Sequence, residues 1–146
     1  MIGVETRASG ISNLGAKVRK GVKKWQRDGA AKGFAVAQEN TPEDRGQLRQ
    51  SAFQPTERGD SVVWGYSGAS YAAPQEFGTD PFWPPAKPLV EWAERVAGDP
   101  SLGYAVQAKI AKEGIEEKRF IRDGADAQRE WYRNNDVRRY IDRELE

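Results

Sequence analysis

The chain is predicted to fold as an α+β domain: a small antiparallel sheet packed by a long N-terminal helix, with several shorter helices after it. Three observations carry this. A helical periodicity runs through residues 11–38. Two short runs rich in Val, Phe, Trp and Tyr follow, separated by a polar turn. From Pro88 onward, helical patterns are punctuated by Gly, Pro and Asn. The 146 residues suit one domain, 1–146. Residues 1–10 and 134–146 are expected to be flexible or to reach other subunits as arms.

The elements follow in order. At 100° per residue, Ile11, Leu14, Val18, Val22, Trp25, Gly29 and Val36 fall within an arc of about 80°. Lys17, Lys20, Lys23, Lys24 and Arg27 form a separate basic stripe. Gly15, Gly21, Gly29 and Gly33 weaken the helix but permit close packing, which is expected to be against the sheet. Asn40-Thr41-Pro42 stops it, because proline disfavours helix in the residue before it. Leu48–Gln54 and Ser61–Tyr66 read as strands, with a turn at 55–60. Tyr71–Phe77 is a short apolar element. The stretch from Gly78 to Pro85 is a stiff loop with three prolines and two large aromatics, Phe82 and Trp83. Helices are then expected over Pro88–Ala97, from Ser101 to about Glu113, over Phe120–Tyr132 and over Val137–Leu145. Asn134-Asn135-Asp136 breaks the last two apart.

Composition excludes several chemistries. There is no Cys and no His, so disulfides, thiol nucleophiles, the usual zinc sites and histidine bases are all absent. No run approaches the roughly 18 apolar residues needed to span a bilayer, and the start lacks the layout of a signal peptide. A soluble protein made in the cytoplasm is expected. Apolar residues make up 38% and charged residues 31%, so the core is lean and self-association is a natural source of stability. Residues 1–40 carry eight Lys/Arg against three Asp/Glu, net +5; residues 41–110 are net −3 and residues 111–146 net −1. That asymmetry suits contacts between copies or with partners.

Candidate sites are few. Glu43, Asp44, Glu76 and Asp80 flank turns, and paired carboxylates can do acid–base work. Nothing fixes their geometry, and solvated or turn-capping acids are the plainer reading. Asp123, Asp126 and Glu130 stand at helical spacing for a hard cation, but interleaved Arg119, Arg122 and Arg129 favour surface pairing. Arg58-Gly59-Asp60 spells an adhesion tripeptide where a hairpin turn is expected, and turn chemistry accounts for it. The basic stripe could meet phosphates or an acidic neighbour, or be a solvated face. Phe82 and Trp83 are either core or an interface anchor. No catalytic residue, metal site or cofactor emerges.

Two segments carry a resemblance. Residues 40–51 read NTPEDRGQLRQS and residues 71–79 read YAAPQEFGT. They resemble the N-TP-x-D-T-G-x-L-R-x-S and Y-A-x-x-x-E-F-G-T segments of a family of tailed-phage head–tail joining and tail-completion proteins, found in siphovirus-like phages and archaeal tailed viruses. Gly114 and Phe120 match further on, and the likeness spans about residues 15–130. Arg45 departs from the family's usual Thr, and Gln75, after Pro74, departs from an apolar residue. The matched positions are Asn40, Thr41, Pro42, Asp44, Gly46, Leu48, Arg49, Ser51, Tyr71, Ala72, Glu76, Phe77, Gly78 and Thr79. Their chemistry is that of a scaffold. Thr41-Pro42 ends a helix, Asp44 and Gly46 shape a turn, and Leu48 opens a strand. Phe77 is expected to be buried, with Gly78 supplying a backbone angle other residues resist.

The resemblance implies a virion protein and not an enzyme. It implies a homo-oligomeric ring, six-fold in expectation, in the neck or at the head-proximal end of the tail. Its partners would be other neck proteins, the connector or adaptor, and the tail tube protein. Genomic DNA would pass through the lumen without specific binding, with no membrane and no cofactor involved. The lumen is expected to draw more on residues 41–110 than on the basic helix. The alternative is a small nucleic-acid-binding protein using that helix. A hydrolase built on Glu76 and Asp80 is a third, remote reading.

Overall fold

The computed structural model describes residues 1–10, 13–42, 46–69 and 72–146, the side chain of Gln47 excepted. The expectations for Ile11, Glu43, Asp44, Arg45 and Tyr71 lie outside the described residues. The fold is α+β: three antiparallel strands and, among the described residues, seven helices.

Strand β1 (Ile2–Arg7) and strand β2 (Ala52–Arg58) flank the central β3 (Ser61–Tyr66), giving the order β1-β3-β2. Residues 1–10 are therefore not a flexible arm. Ile2, Val4 and Thr6 alternate with the exposed Gly3, Glu5 and Arg7, the period of a half-buried strand. Ile2 pairs with Tyr66, and Arg7 with Ser61. All six residues of β3 are buried, as a central strand covered on both faces requires. The β2–β3 ladder slips between Phe53 and Thr56, where Pro55 has no N–H to donate. The tight turn is at Gly59-Asp60, narrower than the expected 55–60, because β2 continues through Arg58.

Leu48 does not open a strand. It lies in a short helix, α2 (Gln47–Gln50), 3% exposed and in the core. Gly46 starts this turn at φ +75°, Gln50 N–H reaches Gly46 O at 2.8 Å, and Ser51 Oγ donates to Leu48 O at 2.6 Å. These local bonds hold the segment helical until Ala52.

Helix α1 (Ala16–Asn40) starts later than the periodicity suggested, and Leu14 is exposed. Its buried stripe is Gly21, Gln26, Gly29, Ala30, Gly33 and Ala37, set beside the predicted apolar arc. The reason is close packing, against helices as well as the sheet. Helix α6 (Phe120–Asn134) crosses α1 with the two backbones nearly touching. A Cβ on Gly124 would stand 2.5 Å from Gly33 O and 2.8 Å from Trp64 Cη2. Helix α7 (Val137–Leu145) lies against α1 at Gly21, where a Cβ would meet Tyr140 O at 2.8 Å. Residues 134–146 are thus docked within the chain. Asp136 caps α7, accepting from Arg138 N–H at 2.9 Å.

Trp64, Tyr66, Phe120 and Val62 fill the core. Tyr66 meets Phe120 edge-on at 5.0 Å, and Phe34 meets Trp64 at 6.0 Å. Two polar side chains inside are linked: Trp64 Nε1 donates to Gln128 Oε1 at 2.7 Å, and Gln128 Nε2 donates to Thr6 Oγ1. The remaining helices, α3 (Ala72–Phe77), α4 (Ala86–Ala97) and α5 (Ser101–Glu113), stand between β3 and α6 in sequence. Among the described residues no helix is long and apolar enough to cross a membrane.

Because Gly124 meets backbone as well as the Trp64 ring, its replacement cannot be absorbed by a flexible side chain. Gly124→Ala is expected to destabilise the fold by about 1–3 kcal/mol, the usual cost of overpacking. Urea denaturation followed by Trp fluorescence measures it, and a loss under about 0.5 kcal/mol would mean the crossing is looser than described.

Candidate functional site

The two family-like segments meet different parts of the frame. In the first, Thr41 is 5% exposed and follows the last residue of α1, Asn40. Its hydroxyl donates to Ala37 O at 2.6 Å, so the 2.6 Å contact with Tyr66 Oη has the phenol as donor. Burial raises the phenol above its ordinary value and keeps that proton in place. Arg49 Nη2 donates to Gln38 O at 3.1 Å, reaching a C-terminal carbonyl of α1. Pro42 follows the cap. These residues tie the end of α1 to β3.

The second segment does more. Glu76 is wholly buried. Its Oε2 accepts from Ile121 N–H at 2.7 Å, and its Oε1 from Arg122 N–H at 2.9 Å and Arg122 Nε at 2.8 Å. Arg122 Nη2 also donates to Glu76 O. The first amides of a helix have no partner inside it and carry partial positive charge, so a carboxylate is favoured there. Here the carboxylate comes from a residue 45 positions earlier. Arg119, the residue before α6, is held at φ 54°, a backbone region that non-glycine residues seldom adopt. Its N–H reaches Glu76 O at 3.3 Å, and Lys118 N–H reaches Gln75 O at 2.7 Å.

Gly78 has φ +71°, and a Cβ there would stand 2.6 Å from Ile115 O. Thr79 bridges Ile115 in both directions: N–H to carbonyl at 2.9 Å, and hydroxyl oxygen accepting Ile115 N–H at 3.0 Å. Ala72 is in the core. Phe77, expected to be buried, is 56% exposed. It lies under the Arg122 guanidinium, 4.9 Å from its ring centre, because Glu76 and not Phe77 takes the inward position of α3.

This geometry engages one of the two acids of the hydrolase reading. Both Glu76 oxygens are occupied by the α6 N-terminus and Arg122, and Asp80 is on the surface. Asp123 and Asp126 pair with Arg119 at 3.7 and 3.6 Å, and Arg129 pairs with Asp126 at 2.9 Å. No group of three acids that could hold a metal occurs among the described residues.

The basic stripe is partly engaged within the chain. Lys20 and Lys24 both meet Glu144 of α7, Lys23 donates to Gly59 O, and Arg27 meets Glu57 at 3.2 Å. The hydrogen bond from Lys24 holds the Glu144 carboxyl below its ordinary range.

The Pro-rich loop and its neighbours form the remaining surface. Trp83 is 68% exposed and Phe82 42%. Phe82 N–H reaches Ile110 O at 3.4 Å, and Gln107 Nε2 donates to Pro84 O at 2.8 Å, so the loop runs along α5. Val96, Leu102 and Tyr104 are also exposed on α4 and α5. Of the nine large hydrophobics exposed among the described residues, six lie between Phe77 and Tyr104. Three of these, Val96, Leu102 and Tyr104, are on the α4–α5 hairpin, and Phe82 and Trp83 are in the loop that leads into it. Sequence reasoning reached Phe82 and Trp83. It predicted helix α5 but did not single out its residues 101–108, SLGYAVQA, which carry no charge although only Gly103 and Gln107 are buried.

Comparison with family models, curated proteins and solved structures finds no match for this chain.

Two outcomes follow. Glu76→Ala is expected to lower stability by about 2 kcal/mol, from lost capping and orphaned amides; an unchanged urea midpoint would mean that α6 is capped otherwise. Glu144 has a depressed folded-state pKa, so its contribution is present above the ordinary carboxylate value and lost as pH falls through the lower one. Carboxyl-carbon NMR should show Glu144 titrating below the ordinary glutamate value, and Lys24→Met should move it back up.

Proposed function

We propose that this chain is a structural subunit of a tailed virus, assembling as a ring in the neck or at the head-proximal end of the tail. The observation that carries this reading is Trp83 at the base of the α4–α5 hairpin, 68% exposed and preceded by the exposed Phe82, with Val96, Leu102 and Tyr104 exposed on the two helices. A surface of that kind is costly to leave in water, and Trp in a proline-stiffened loop docks with little loss of entropy. The likeness of residues 40–51 and 71–79 to phage head–tail joining proteins supports the location. The roles of those residues, ending α1 and holding α6, are those of a building block.

A ring needs heterologous contacts, in which one patch meets a different patch on the next copy. The apolar hairpin and the basic, polar side of α1 are two such unlike surfaces. Neck proteins and the tail tube would contact the ring above and below, and DNA would slide through without a specific hold. The subunit would be assembled in the host cytoplasm and carried in the virion. The nucleic-acid-binding alternative has less to stand on, because Lys20, Lys24 and Arg27 already have carboxylate partners.

Trp83→Ala is expected to leave the subunit folded, with its melting temperature within a few degrees of wild type, while joining of heads to tails fails. Complementation of a virus lacking the protein, scored by electron microscopy, reads this directly. Normal particles from the variant would remove Trp83 from the interface.

A further inference from the structure

Residues 1–40 are net +5, and the fold gathers part of that charge in one place. Between the first turns of α1 and the end of β2 lies a cleft of about 290 Å³, lined by Ala16, Arg19, Lys20, Lys23, Arg27 and Glu57. Four cations there face one carboxylate. They are compensated unequally. Arg27 meets Glu57 at 3.2 Å, and Lys20 shares Glu144 with Lys24. Lys23 donates to Gly59 O, a neutral acceptor that leaves its charge in place. Arg19 is exposed and pairs with no carboxylate among the described residues.

The spacing makes these charges act together. Arg19, Lys23 and Arg27 stand four residues apart, a row about 12 Å long on one side of α1. Like charges at that spacing repel and weaken a helix. Packing holds the row in place all the same, because Gly21, Gln26, Gly29 and Ala30 of α1 are buried against the rest of the body. Charge of one sign along a walled cleft focuses the field inside it. The first turn of α1 holds no acidic residue, so the positive end of its dipole adds to the same field beside Ala16.

An anion fits this place, and the donors select its kind. Guanidinium and ammonium groups together suit phosphoryl oxygens, the first by its planar fork and the second as a point charge. The length of the row matches two linked phosphoryl groups better than one. The volume is at the lower end of ligand pockets, which run from roughly 300 Å³. No aromatic side chain is among the lining residues, so a base would find no face to stack on. We propose that the cleft is a binding site for a small polyphosphate anion of pyrophosphate size. Arg19 and Lys23 hold it, and Glu57 is the internal anion that it displaces from Arg27. The site does not depend on the assembly reading above.

Calorimetric titration of the full chain with pyrophosphate at low ionic strength tests this. Arg19→Gln and Lys23→Gln should each weaken binding about tenfold. Arg19 is exposed, so its variant should keep the wild-type melting temperature. Glu57→Gln should tighten binding several-fold, whereas Glu91→Gln on α4, an equal change in net charge, should not. Amide NMR shifts on adding pyrophosphate should concentrate in residues 16–27 and 56–60. Wild-type affinity in both cation variants would overturn the proposal, as would no binding up to about 1 mM pyrophosphate. Equal tightening by Glu57→Gln and Glu91→Gln would overturn it too, leaving only attraction to the field of the whole protein. An oligothymidylate that binds through α1 while pyrophosphate does not would replace the site by an extended nucleic-acid face.

Discussion

The carboxylate of Glu76 carries more of this structure than any other group. A buried charge needs several partners to offset its loss of water. Glu76 has two backbone amides and a guanidinium, and all of them belong to the start of α6. What α6 then brings is most of the body's packing. Phe120 and Ile121 enter the core beside Tyr66, and Gly124 crosses Gly33. Gln128 satisfies the Trp64 indole, and Tyr132 Oη reaches Gln26 O at 2.8 Å. Through α6 the same clasp places α7 on α1. It also fixes the base from which the α4–α5 hairpin projects, since Gly78 and Thr79 follow Glu76 directly.

That arrangement explains why a short Glu-Phe-Gly-Thr segment matters to a whole fold. Glu76 caps, Gly78 turns where a side chain would strike Ile115 O, and Thr79 bridges. Phe77 faces out, over Arg122. The left-handed Arg119 is strain that the surrounding bonds hold, worth about 1–2 kcal/mol for a residue with a Cβ. These contacts fix the positions of α3, α6 and the base of the hairpin relative to one another.

Much of the helical frame was legible in the sequence. Gly98 and Gly114 end α4 and α5 close to the expected places, and Asp136 opens α7. The strand β1 was passed over because Ile2-Gly3-Val4-Glu5-Thr6 was weighed only as a leader, although its alternation is that of an edge strand. Leu48 was misread because a single helical turn closed by Gly46 and Ser51 has no period to display. The buried side of α1 was displaced because glycine and alanine, silent on a hydrophobicity count, are what let α6 and α7 approach. The role of Glu76 could not be read at all. It depends on a helix start 45 residues away, and no local pattern marks a cap supplied from that distance. The uncharged stretch of α5 was visible, and its meaning came only once its outer face proved uncovered.

On the proposed reading as a ring subunit, the body clasped by Glu76 would keep the shape and the hairpin projecting from its base would meet the neighbour. The most direct measurement is a cryo-electron microscopy reconstruction of the intact virion with this chain located in the density. The account predicts copies arranged in a ring about the tail axis, with Trp83 and the outer face of α5 covered by the adjoining subunit. Copies scattered over the capsid faces, or a ring in which the hairpin stands free in solvent, would contradict it.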